Sequence, residues 1–89
     1  MQGLSEDELR SMKARCDAAT PGPWRSWIEG RDHESGSSFI QTGEGSSRGP
    51  DVELSGATDA DHDFIAHARQ DLPRLLTEVF RLRAEIARR

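Results

Sequence analysis

Eighty-nine residues, 34% of them hydrophobic, allow one domain with a small core and little more. A net charge of −4, with arginine supplying nearly all the positive side chains, excludes general duplex nucleic-acid binding, which needs a basic face to displace counterions. Cys16 stands alone, so no intramolecular disulfide framework is available. No signal-peptide pattern and no apolar run approaching a membrane span is present, so the chain is expected in the cytoplasm and not on a membrane.

The chain opens with a capped helix. Ser5 followed three residues later by Glu8 has capping-box spacing, and Leu4 with Leu9 flanks the box as a hydrophobic staple would. Leu9, Met12, Cys16 and Ala19 form one apolar stripe at helical spacing, while Arg10, Lys13 and Arg15 take the other faces. The helix is expected to stop near Ala18, because Thr20 precedes Pro21 and that position disfavours helical dihedrals.

Pro21, Gly22 and Pro23 then make a rigid corner into Trp24. Trp24-Arg25-Ser26-Trp27-Ile28 suits a pleated strand, with Trp24 and Ile28 on one face and Trp27 on the other. After a polar break, residues 37–42 read as a second strand. Residues 43–50 are a Gly/Ser-rich loop, and Asp51-Val52-Glu53-Leu54 alternates as a half-buried third strand would. Residues 21–57 hold six acids against three arginines, an acidic surface suited to a basic partner.

Residues 58–89 read as one long amphipathic helix. Thr58 and Asp61 repeat the cap with its reciprocal acid, and acids crowd the start while arginines crowd the end, as the helix dipole favours. Ile65, Ala68, Leu72, Leu75, Val79, Leu82 and Ile86 alternate spacings of three and four, the period of a seam for a second helix. Phe64, Leu76 and Phe80 broaden it. Pro73 is expected to kink the rod near Arg69, or to divide it there. The expected fold is a single α+β domain over residues 1–89: a short helix, a three-stranded antiparallel meander and the long helix. Too few apolar side chains lie elsewhere to cover that helix. A homo-oligomer through Leu72, Leu75, Val79, Leu82 and Ile86 is therefore expected.

Candidate sites are sparse. Asp59-x-Asp61-x-Asp63 opens like a calcium loop but has Phe64 and Gln70 where such a loop needs Gly and Glu, so it reads as a helix start. Asp63, His67 and Asp71 share a helix face; without another evident ligand they read as a solvated row, and no metal or cofactor is expected. Cys16 lacks catalytic company, and no catalytic set assembles, so the chain is expected not to be an enzyme. The Gly43–Gly49 loop, with Arg48, can present amides to an anion, or is simply a hairpin loop. Arg25, Trp27 and Arg31 are the best ligand candidates, because an indole with guanidinium groups can stack on and clamp an anionic ring system; Trp27 as core or interface is the other reading.

Ala18-Ala19-Thr20-Pro21-Gly22-Pro23-Trp24 after a capped helix resembles the opening of small phage and prophage accessory proteins of the ead-like type. Asp63-Phe64-Ile65-Ala66-His67-Ala68-Arg69, then Asp71, Pro73 and Leu75-Leu76, resembles their closing helix. The likeness covers the termini, roughly half the chain. It implies a small non-enzymatic protein of mobile elements and carries over no catalytic residue. The combined expectation is an oligomer that binds a small anionic ligand, such as a nucleotide signal, through Arg25, Trp27, Arg31 and Arg48 and antagonises host defence. The alternative is an acidic immunity or inhibitor protein that blocks a basic partner protein.

Overall fold

The computed structural model describes residues 3–89 and is α+β: two helices and a two-stranded antiparallel sheet. Helix α1 spans Glu6–Ala18, strand β1 Trp24–Trp27, strand β2 Phe39–Thr42 and helix α2 Asp59–Ala87; a single 3₁₀ turn, Gly45–Ser47, lies in the loop after β2. Both capping boxes form. Ser5 Oγ accepts from the Glu8 N–H while Glu8 Oε1 accepts from the Ser5 N–H, both at 3.0 Å. Thr58 and Asp61 repeat that exchange at 3.0 Å in each direction. Each box satisfies two donors that a helix start otherwise leaves unpaired.

Helix α1 runs antiparallel to the second half of α2 and is tied to it at both ends. At one end Arg83 Nη2 donates to the Leu4 carbonyl at 2.7 Å. At the other, Arg69 Nε donates to the Thr20 carbonyl at 2.9 Å, and Trp24 Nε1 donates to the same oxygen at 3.1 Å. One carbonyl thus joins the end of α1, the Pro corner and α2.

Strands β1 and β2 pair from Trp24↔Thr42 to Trp27↔Phe39. The expected third strand does not form. Val52 makes one bridge to Ile40, exchanging both backbone bonds at 2.8 Å. The next rung would need an N–H from Pro50 to the Thr42 carbonyl, and proline has none. Gly49 N–H takes that acceptor at 2.7 Å instead, and Thr42 Oγ1 donates to the Pro50 carbonyl at 2.7 Å. The meander therefore stops at two strands and a bridge.

The core lies where α2 crosses the sheet and meets α1: Leu9, Ile28, Ile40, Ala66 and Leu76, with Ser26, Thr42 and His62 buried beside them. Helix α2 runs unbroken through Pro73, so the rod is not divided there. The result is elongated. The radius of gyration is 16.3 Å, against roughly 12 Å for a compact chain of this length.

Candidate functional site

The two faces of the sheet differ. Ser26, Ile40 and Thr42 are buried on the face that packs against α2. The opposite face carries Arg25, Trp27, Phe39 and Gln41, and neither helix covers it. There the Arg25 guanidinium sits 4.1 Å from the Trp27 ring centroid. Trp27 Nε1 donates to Gln41 Oε1 at 3.0 Å, and Gln41 Nε2 donates to the Gly43 carbonyl at 3.0 Å, so the indole is held in place.

His33, from the loop between the strands, extends the row. Its ring centroid lies 6.4 Å from Trp27, edge-on, and 5.3 Å from Phe39. The Ser35 N–H donates to His33 Nδ1 at 3.1 Å, which assigns the ring proton to Nε2, 3.3 Å from the Trp27 carbonyl. A half-buried aromatic row capped by one guanidinium can take the π-face of a planar ring and hold an anionic group beside it.

Of the four residues expected to bind a ligand, only Arg25 and Trp27 come together. Arg31 turns towards α2, where Nη1 and Nη2 donate to the two oxygens of Asp63 at 2.9 and 3.0 Å, while its Nε and Nη2 reach Asp32. Those hydrogen bonds, to Asp63 above all, raise the Arg31 pKa and occupy its donors. Arg48 Nη1 donates to Asp51 at 2.7 Å on the far loop. The residues missed are Phe39, Gln41 and His33. Period-two alternation from Arg25 and Trp27, carried into the second strand, would have found the first two.

The Asp63-His67-Asp71 row is not gathered into a ligand set among the described residues. Asp63 is occupied by Arg31 and by the Ser26 hydroxyl, and His67 Nδ1 lies 2.8 Å from the Asp63 carbonyl. Among the described residues no group of three His, Cys, Asp or Glu side chains is placed to hold a metal ion. Nor, among the described residues, is any helix long and apolar enough to cross a membrane.

A second surface runs along α2. Leu72, Leu75, Leu82 and Ile86 are 44–65% exposed, and Val79 is half-buried. At its upper end the strip opens into an apolar groove of ≈ 330 Å³ between α1 and α2, walled by Met12, Cys16, Trp24, Ile65, Ala68 and Leu72 among others. Trp24 and Ala68 thus share one wall of the groove. Phe64 does not join them; it is 74% exposed. Comparison of the chain with protein-family models, curated proteins and solved structures gives no match.

Proposed function

We propose that this chain is a non-catalytic binding protein that self-associates through the apolar strip of α2 and uses Arg25 with Trp27 to hold a small anionic ligand bearing a planar ring, such as a nucleotide. The observation that carries the ligand half is the placement of Arg25. It is exposed, has no carboxylate partner among the described residues, and is stacked on an indole fixed by Gln41. A guanidinium so placed can pair with phosphate while the neighbouring rings take a base. Self-association is supported by the strip: covering each fully buried aliphatic side chain contributes about 1.5–3 kcal/mol, and soluble monomers rarely leave so long an apolar run open. The resemblance of both termini to ead-like phage proteins supports a role in antagonising host defence, in a cytoplasmic setting.

Calorimetry with a panel of mono-, di- and cyclic nucleotides tests the ligand. Heat of binding that disappears in Arg25→Ala and Trp27→Ala, with folding retained, is the expected result. Silence across the panel would sink it. The second reading, an acidic inhibitor of a basic protein, is favoured by Glu34, Glu44 and Glu53, which are exposed and make no ion pair among the described residues. Nucleotide silence together with stoichiometric capture of a basic partner protein would favour that reading.

A further inference from the structure

We infer that the occupant of the groove between α1 and α2 is the C-terminal end of α2 from a second copy of this chain, the two long helices running antiparallel about a two-fold axis near Leu75. This rests on the self-association proposed above and adds its geometry. Two independent features of α2 select the orientation.

The first is charge. Residues 58–71 hold Asp59, Asp61, Asp63 and Asp71 against Arg69, a net of −3. Residues 72–89 hold Arg74, Arg81, Arg83, Arg88 and Arg89 against Glu78 and Glu85, a net of +3. An in-register parallel pair would set acid beside acid and base beside base. An antiparallel pair brings the turn carrying Arg88 and Arg89 beside the first turns carrying Asp59 and Asp61, and opposes the helix dipoles favourably.

The second is size. In a parallel pair the small Ala68 meets Ala68, leaving a gap in the layer. Reversed about Leu75, the small Ala68 falls opposite the large Leu82, and Leu72 and Ile65 come within one position of Val79 and Ile86, so the gap in the Ala68 layer is filled. The half of the strip near Ile65, Ala68 and Leu72 is the half that opens into the groove. The half that would enter it, Leu82 and Ile86, is 44% and 65% exposed. Each copy thus presents a socket at one end of α2 and an apolar plug at the other, and a two-fold axis closes both contacts at once.

Cysteine cross-linking reads the orientation directly. In a Cys16→Ala background, a mixture of Ile65→Cys and Ile86→Cys chains is expected to give a linked heterodimer on mild oxidation, whereas Ile86→Cys alone stays unlinked. Spin labels at Asp59→Cys provide a second measure. They should lie about 48 Å apart, counting 1.5 Å per residue on either side of Leu75, against about 10 Å for parallel neighbours. Self-linking of Ile86→Cys or a short label distance would overturn the antiparallel arrangement while leaving the dimer standing. A single-chain mass by light scattering at micromolar concentration would overturn self-association itself.

Discussion

Arg31 and Asp63 face each other as a bidentate pair, 2.9 and 3.0 Å, joining the loop after β1 to the first turns of α2. The Ser26 hydroxyl donates to the same carboxylate from β1. Asp63 is therefore the centre of a structural clasp, and the Arg31 donors are engaged in holding it.

A pH dependence follows from that clasp. The Arg31 hydrogen bonds, then that of Ser26, hold the Asp63 carboxyl well below its ordinary 3.8. A carboxyl depressed in the folded state contributes stability that is complete above its unfolded value and is lost as pH falls below it. Acid unfolding of wild type should therefore steepen below about pH 4, and Asp63→Asn should flatten that limb while lowering stability at neutral pH. Both arms are read by denaturant melts across pH; parallel wild-type and variant curves would contradict the assignment.

Gln70 closes the free edge of β1. Its Oε1 accepts from the Trp24 N–H at 2.8 Å and its Nε2 donates to the Trp24 carbonyl at 3.1 Å, so one amide replaces a neighbouring strand. Gln70→Ala leaves both groups unpaired in a part-buried position and is expected to cost about 1–3 kcal/mol. Faster hydrogen exchange at the Trp24 amide should accompany the loss, and an unchanged exchange rate would show that the clasp does not hold in solution.

Trp24 itself is half-buried on the groove wall, so Trp24→Ala is expected to cost about 2–3 kcal/mol, below the range of about 3–5 for a fully enclosed aromatic. A denaturant melt measures this. A cost under about 1 kcal/mol would remove Trp24 from the framework.

Local features were legible in the sequence and distant ones were not. Ser5 with Glu8 and Thr58 with Asp61 carry their partners three residues away, so both helix starts could be read from spacing alone. The third strand failed because its fate depended on Pro50 arriving opposite Thr42, a register that Val52 sets only once it has paired with Ile40. The pairing of Arg31 with Asp63 was not legible for the same reason: that carboxylate lies 32 positions away on another element. The Arg25–Trp27 stack was legible because residues two apart on a strand share a face.

Gly49 occupies a position that only glycine fits. A Cβ there would lie 2.6 Å from Thr42 Oγ1 and 2.8 Å from Thr20 Cγ2, between the loop after β2 and the end of α1. Gly49→Ala must push the loop off Thr42 and break the Gly49 N–H bond that stands in for the missing Pro50 donor. A loss of about 2 kcal/mol or more is expected, with the Val52 bridge weakened as well. Gly45→Ala, where a Cβ meets nothing within 4 Å but φ is +58°, separates the effects: it should cost only about 1 kcal/mol of backbone strain. Equal losses in the two variants would show that crowding at Gly49 is not the cause.

His62 is 4% exposed, and its Nε2 meets no hydrogen-bonding partner among the described residues. Its Nδ1 lies 2.9 Å from the Thr58 carbonyl, an acceptor that the His62 backbone N–H already serves at 3.1 Å. The imidazole therefore contributes packing volume and one hydrogen bond, to an oxygen that the backbone N–H already pairs, while an unpaired buried nitrogen costs about 1–3 kcal/mol. His62→Leu keeps most of the volume and removes the unpaired atom, so it is expected to leave stability unchanged or raise it by up to about 1 kcal/mol. His62→Ala removes the volume too and should cost about 2 kcal/mol or more. If His62→Leu proves as damaging as His62→Ala in paired thermal melts, the ring nitrogens matter more than the space they fill, and the packing role assigned to His62 is wrong.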